Sequence, residues 1–336
     1  MPDQSAKTDK SCSLLAHITQ QNSVKALFTA GPASLLEENL LGLRPCFGRG
    51  DADYQQVEQS VLEALKSMTG HAQIARLQGS ARLALEIASL NFLFGKVLVI
   101  DSGYYAQRLV SFAEAAERQG YVRSVTVVNW LDLADISEQY DWIIACYTET
   151  SIGLKLPMNE LRALANRVDA QLFLDATASI GLENDHDQAD VIAYSSCKGL
   201  FGLTGAAFIA FNQLPTNSVD GFYMNLHTHL ERRMTGPYHA IASLYEVLPK
   251  HQDLREAVFI NKTAMLQKFS NYATHPDSHQ PALCTWVDAR IGSHDPRAVL
   301  YAPRGISSGS VVCHLGEAHL GSAARGEILN MLEVLA

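Results

Sequence analysis

Between residues 72 and 211 the chain alternates short apolar runs with longer stretches of helical spacing, and this alternation limits the fold more than any other feature. Residues 97–100, 142–147, 170–174, 191–194 and 206–211 are apolar runs of strand length, and 72–77 and 122–128 are further strand candidates. Residues 80–94, 105–119 and 158–168 carry the 3.6-residue spacing of helices that bury one face. Strands that alternate with helices predict an α/β fold, with a mostly parallel sheet sandwiched by helices. Upstream, Val57, Val61, Leu62, Leu65 and Met68 mark a helix that Thr69-Gly70 stops. Downstream, helices over 238–248 and 254–273 lead out of this lobe. Strands at 283–287, 298–301 and 310–315 and a closing helix over 323–335 predict a small, shortened C-terminal α+β lobe. The expected division is an arm at 1–24, a large lobe at 25–250 and a small one at 251–336.

Sheets of this kind bind ligands beyond the C-terminal ends of their strands, so the residues just past each run carry the chemistry. The run 170–174 ends on Asp175, and the run 191–194 leads through Ser195-Ser196-Cys197 to Lys198, followed by Gly199 and Gly202. Two buried strands thus deliver a carboxylate and an amine at one edge. Pyridoxal 5′-phosphate (PLP) chemistry needs that pair: an amine to hold the cofactor aldehyde as a Schiff base, and a carboxylate to keep the pyridine nitrogen protonated so that the ring draws electrons. A solvated surface lysine and a capping aspartate are the competing readings of each residue alone.

Composition sets outer bounds. The 336 residues suffice for two lobes with their own cores. A net charge of −9 argues against a nucleic-acid or anionic-membrane surface. No apolar run reaches membrane-span length, and residues 1–13 lack the apolar centre of a signal peptide. The six cysteines are scattered without a CxxC pair, a pattern of reduced thiols in a cytoplasm. No metal-ligand spacing stands out among the twelve histidines, so no metal is expected.

Five further segments, in order, carry a resemblance. Leu77-Gln78-Gly79-Ser80-Ala81-Arg82 opens a helix, Ser102-Gly103-Tyr104-Tyr105-Ala106-Gln107-Arg108 follows a strand, and Tyr147-Thr148-Glu149-Thr150-Ser151-Ile152-Gly153 follows another. Asp175-Ala176-Thr177-Ala178-Ser179 and Thr235-Gly236-Pro237-Tyr238-His239 come later. With Thr29-Ala30-Gly31-Pro32 and His314-Leu315-Gly316 they resemble the class V aminotransferases of the fold-type I PLP superfamily. The nearest likeness is to 2-aminoethylphosphonate–pyruvate and alanine–glyoxylate aminotransferases.

The resemblance implies roles. Gly79, Ser80, Ala81 and Arg82 would cradle the cofactor phosphate, although Ala81 and Arg82 depart from the family's Gly-Thr. Tyr105 would stack on the pyridine ring, Ser151 would lie near the phenolic oxygen, and Thr177 near the ring that Asp175 protonates. Glu149 reads as a structural cap. Ser195 and Cys197 flank the lysine, where the family usually has Gln or Asn before it; a thiol is a weak donor there. Thr235 would reach the cofactor phosphate of a neighbouring subunit, implying a homodimer with shared sites. Gly31 lies in the substrate-entrance loop. His314 stands where the family carries an arginine that grips the substrate anion; a histidine is neither a fork nor always charged, which leaves Arg49 and Arg304 as replacements.

The implied activity is transfer of an amino group from a small amine or amino acid, such as 2-aminoethylphosphonate, to a 2-oxo acid such as pyruvate. A PLP lyase or decarboxylase on the same scaffold, or a non-catalytic paralogue, fits the same cofactor residues; the departures at Ala81, Cys197 and His314 motivate the last.

Overall fold

The computed structural model describes residues 16–335 apart from 18, 21, 23, 44–47, 49, 232–233, 306–307, 317–326 and 328. In chain order the elements are β1 (Ala26–Phe28), α1 (Glu37–Leu41), α2 (Ala52–Thr69), β2 (Gln73–Gln78), α3 (Ala81–Phe92), β3 (Gly95–Asp101), α4 (Tyr104–Arg118), β4 (Val122–Asn129) and β5 (Trp142–Cys146). A small hairpin follows, β6 (Thr148–Glu149) and β7 (Leu154–Lys155), then α5 (Met158–Arg167), β8 (Gln171–Asp175), β9 (Val191–Ser195) and β10 (Ala206–Phe211). Next come α6 (Leu226–Glu231), α7 (Tyr238–Val247), α8 (His251–Lys268), β11 (Cys284–Val287), β12 (Ile291–Gly292), β13 (Ala298–Leu300), β14 (Ser310–Cys313) and β15 (Glu333–Val334).

The main sheet runs in the order β2-β10-β9-β8-β5-β3-β4. β10 is antiparallel to both its neighbours, and the remaining pairs are parallel. Both faces are covered. Leu98, Ile100, Ile143, Leu172, Leu174 and Ile192 point into one core with α2, α5 and α7. Val97, Val99, Trp142, Ile144, Phe173 and Val191 point into the other with α3 and α4. A strand buried on both faces has no polar side to show, which is why these runs read as continuous apolar segments rather than alternating ones.

The small lobe departs from the expected reading in two places. The closing helix expected over 323–335 stops short of that range: residues 327 and 329 are helical, but Glu333–Val334 is a strand paired antiparallel with Ile291–Gly292, and the Leu335 N–H bonds the Arg290 carbonyl at 2.8 Å. Residues 323–326 and 328 of that expectation lie outside the described residues. Leu332 and Leu335 continue the helical spacing of Leu329, and in so short a run periodicity does not mark where the helix gives way to a strand. The second departure is β1, which no pattern in the sequence announced. It pairs in parallel with β13, and so belongs with the C-terminal strands although its sequence neighbours serve the large lobe.

Between the lobes, α1 is anchored by one buried side chain. The Asn39 Oδ1 accepts the Leu36 N–H at 2.7 Å, and its Nδ2 donates to the Phe201 carbonyl at 2.9 Å and to the Ser243 hydroxyl at 2.8 Å. Phe201 holds φ at +56°, a conformation that a bulky residue rarely adopts, so this contact helps retain a strained turn just after Lys198. Asn39→Ala strands the Leu36 N–H and the Phe201 carbonyl, while the Ser243 hydroxyl keeps the Leu203 N–H as a partner, and stability should fall by about 1–3 kcal/mol. A urea unfolding midpoint indistinguishable from that of the parent protein would show that the contact contributes nothing.

Candidate active site

The parallel strands end on one edge, and register fixes what lies there. Cys146 at the end of β5 is the partner of Asp175 at the end of β8, and Asp175 is also level with Ala193 of β9. The Asp175 carboxyl is buried, and its Oδ1 accepts the Thr177 N–H at 2.9 Å. Burial raises its pKa; hydrogen bonding from Thr177 and the positive charges of Lys198 and Arg108 pull the other way. Among the described residues no cation stands within ion-pair distance of it. A buried carboxylate in that position is an acceptor awaiting a cationic donor, and a protonated pyridine nitrogen is such a donor.

Lys198 sits in a tight loop after β9. The Ser196 N–H bonds the Ala206 carbonyl at 3.1 Å, the Phe201 N–H bonds the Lys198 carbonyl at 2.8 Å, and Gly202 closes back on Ser196 at 2.8 Å. Gly199 must lack a side chain, because a Cβ there would lie 2.2 Å from the Ile180 carbonyl oxygen. The entrance loop covers the lysine from above. Gly31, at φ +113°, is so close that a Cβ would stand 2.8 Å from the Lys198 Cγ, and the Ala33 N–H donates to the Cys197 carbonyl at 2.8 Å. Gly31 therefore touches the lysine stem itself. The Ser195 hydroxyl and the Cys197 thiol contact each other at 3.7 Å.

Gly79 and Ser80 lie at the far end of the same edge, where the Gly79 N–H bonds the Gly205 carbonyl at 2.9 Å. Ser80 is the N-cap of α3, yet its hydroxyl makes no capping bond. Ala81 and Arg82 begin the helix, the former buried and the latter exposed. An open hydroxyl beside the first amides of a twelve-residue helix suits a phosphate.

At the start of α4, Glu149 gathers four donors. Its Oε2 accepts the N–H groups of Tyr105 and Ala106 at 2.9 and 3.0 Å; its Oε1 accepts the Ser151 N–H at 3.0 Å and also the Ser151 hydroxyl. Burial raises its pKa, and these hydrogen bonds oppose the rise. Glu149 is thus a helix cap, while the Ser151 hydroxyl, expected near the cofactor oxygen, spends its proton on Glu149. Tyr105 is half-buried, with the Arg108 guanidinium 5.0 Å from its ring centroid and the Tyr301 hydroxyl 3.4 Å from its own.

The substrate-side expectations divide. Arg304 lies over the Tyr104 ring and donates to its hydroxyl at 3.1 Å. Arg49 lies outside the described residues. Thr235 is exposed and lines a cleft of about 420 Å³ with Arg76, Gln78 and Leu83. His314 must be corrected as an anion ligand: its Nδ1 lies 2.9 Å from the Ala282 carbonyl and its Nε2 3.0 Å from the Thr285 hydroxyl, so both ring nitrogens serve the small lobe. Burial pushes its pKa down to about 4 and keeps it neutral. Tyr301 is the residue that reading the sequence missed. It follows β13, and nothing local marks it; only the docking of that strand on β1, where the Tyr301 N–H bonds the Phe28 carbonyl at 3.0 Å, brings it to Tyr105.

No protein-family model matches the chain. It is 27% identical over 255 residues to a 2-aminoethylphosphonate–pyruvate transaminase of Pseudomonas aeruginosa, covering 68% of each chain. The fold is also that of a subgroup IV aspartate aminotransferase from Thermus thermophilus, with a TM-score of 0.78 at 19% identity over 91% of this chain and 97% of the other. It likewise matches a pyridoxamine–pyruvate aminotransferase from Mesorhizobium loti, with a TM-score of 0.76 at 18% identity over 90% and 91%. The chain is thus similar in sequence to curated 2-aminoethylphosphonate–pyruvate transaminases and has the fold of solved aminotransferases.

Burial lowers the pKa of His186, to about 3, and of His71 and His251 as well. These rings fold neutral, whereas in the unfolded chain they protonate near pH 6.5. The unfolded state therefore binds more protons below that pH, and stability is full above about 6.5 and falls as pH drops towards 4. His314 alone, moving from 6.5 to about 4, should contribute roughly 3 kcal/mol of this loss. Denaturant titrations from pH 7 to 4 should give a steep slope that is shallower in His314→Asn. Equal slopes would mean that the ring is not buried neutral.

Proposed function

We propose that this chain is a PLP-dependent aminotransferase that moves an amino group from a small amine or amino acid, such as 2-aminoethylphosphonate, to a 2-oxo acid such as pyruvate. The observation that carries this reading is the buried Asp175 carboxylate, without an ion-pair partner among the described residues, on the strand beside the one that leads to Lys198. Its supporters are the open α3 N-terminus with the Ser80 hydroxyl for a phosphate and the flat face of Tyr105 for an aromatic ring. The curated relatives, named for amino transfer to pyruvate, point the same way.

When bound, PLP supplies an aldehyde for amine exchange and a ring that draws electrons from the substrate carbon. The protein's residues do the rest. Lys198 Nζ would hold the cofactor and, once released by the incoming amine, would take a proton from the amine-bearing carbon of the substrate and return it on the cofactor side. Asp175 would keep a proton on the ring nitrogen by supplying the adjacent negative charge. Tyr105, its backbone N–H held by Glu149, would fix the plane of the ring. Ser80 and the amides of Ala81 and Arg82 would hold the phosphate, with Ser195 and Cys197 at the lysine loop and Thr177 beside Asp175. Gly31 lets the entrance loop close on the lysine stem.

The active form in this proposal is a homodimer. Exposed Thr235 lines an open cleft with residues of β2 and α3, and Phe222 and Tyr223 are exposed beside it. A second protomer would supply its own Thr235 to the phosphate. We assign the enzyme to the cytoplasm, in keeping with the free thiols of Cys146, Cys197, Cys284 and Cys313. Among the described residues no helix is long and apolar enough to cross a membrane.

Borohydride reduction of the PLP-loaded protein and peptide mapping should find a pyridoxyl group on Lys198. Asp175→Asn should keep cofactor yet lose most turnover. Label on a different lysine, or near-normal rates in Asp175→Asn, would overturn the assignment. Shared sites predict that a Lys198→Ala chain mixed with an Arg49→Ala chain regains activity, since one heterodimer site draws both intact residues. Two inactive parents that exchange subunits without recovery would rule out sharing through Arg49.

A further inference from the structure

The aminotransferase reading, on which this inference rests, leaves the anionic end of the substrate without a ligand at position 314, because both His314 ring nitrogens are engaged by the small lobe. We propose that Arg108 of α4 and Arg304 of the small lobe grip that anion together, across the Tyr104–Tyr105 pair.

The two rings stand perpendicular, at 88°, with centroids 5.4 Å apart, and each carries one guanidinium. Arg108 lies 5.0 Å from the Tyr105 centroid, and Arg304 lies 5.6 Å from the Tyr104 centroid. Both groups bear on one phenol: Arg304 donates to the Tyr104 hydroxyl at 3.1 Å, and the two cations together lower its pKa, Arg304 more strongly. Neither has a carboxylate within ion-pair distance among the described residues. Arg76, Arg162 and Arg297 do, with Glu58, Asp190 and Asp295. In a chain with 35 acidic and 26 basic residues, two adjacent guanidinium groups left without a carboxylate make a site for an anion from outside.

Their place is the mouth of the cofactor edge. The charge of Arg108 acts on Asp175, and Tyr301 binds its strand to the Phe28 carbonyl while its hydroxyl approaches Tyr105. Arg304 comes three residues later. One fork satisfies a carboxylate, whereas two forks from different directions match the three oxygens and double charge of a phosphonate. The pair therefore favours a small amine that ends in a phosphonate over one that ends in a carboxylate.

Calorimetric titration of the PLP-loaded protein with propylphosphonate and with butanoate, which carry no amine and cannot react, tests this. Propylphosphonate should bind more tightly than butanoate. Arg304→Gln and Arg108→Gln should each weaken it by about 10- to 100-fold, and Arg304→Lys should weaken it less. Arg304 is on the surface, so Arg304→Gln should keep the cofactor absorbance of the parent. An unchanged propylphosphonate affinity in Arg304→Gln, or no preference over butanoate in the parent protein, overturns the proposal. Loss of binding in the variants while no amine donor turns over in the parent would uphold the anion site and refute the reaction.

Discussion

A carboxylate buried without a counter-ion among the described residues is the constraint around which this molecule is arranged. Taking a charge out of water costs several kcal/mol even after relaxation, and Asp175 receives from the protein one backbone hydrogen bond and the more distant fields of Lys198 and Arg108. The sheet makes such a position tolerable. β5, β8 and β9 are buried on both faces and rigid, and the carboxyl sits at their common edge rather than in their midst. The same edge collects the lysine loop, the α3 N-terminus and the Glu149 cap. An apolar residue in place of Asp175 would be easier to bury, so its presence speaks for use rather than for stability.

The electrostatic pattern divides the site in two. On the cofactor side the acids are enclosed: Glu149 has every oxygen lone pair directed at a donor, and Asp175 is short of one. On the side that faces solvent Arg304 is exposed and Arg108 half-buried, and aromatic rings hold them in place of carboxylates. His314 belongs to neither half. Its bonds to Ala282 and Thr285 brace β11 against the end of β14, and the Asn261 side chain holds its carbonyl. Where the resemblance implies an arginine, this chain gives the position to architecture.

Much of this was legible before any coordinates. The inner strands of the main sheet were visible because strands buried on both faces are written as apolar runs, whereas Val122–Asn129 at its edge mixes polar residues in. Asp175 and Lys198 were visible because they terminate or follow such runs. Glu149 read as a structural cap from its motif, although the helix it caps lies 44 residues away in the chain. What stayed hidden shares one property, long-range pairing. β1 is three residues long and gains its identity from β13. Tyr301 is an unremarked aromatic until that pairing carries it to Tyr105. Val334 and Leu335 look helical until Ile291–Gly292 pairs with the strand they help to form. The tie between Gly31 and the lysine stem is likewise a contact between distant segments, although the glycine itself was noticed.

The pairing of β1 with β13 has a bearing on how the enzyme comes into being. The segment that presses on Lys198 precedes the large sheet in the sequence, and the strand that fixes it follows the sheet. All seven strands of the large sheet lie within residues 73–211, yet until residue 300 has been made the loop around Gly31 has no strand to hold it over the lysine. Non-local contacts of this kind form late because the intervening chain must first be ordered. A chain in which β13 has not yet paired with β1 would thus leave the Lys198 amine unroofed.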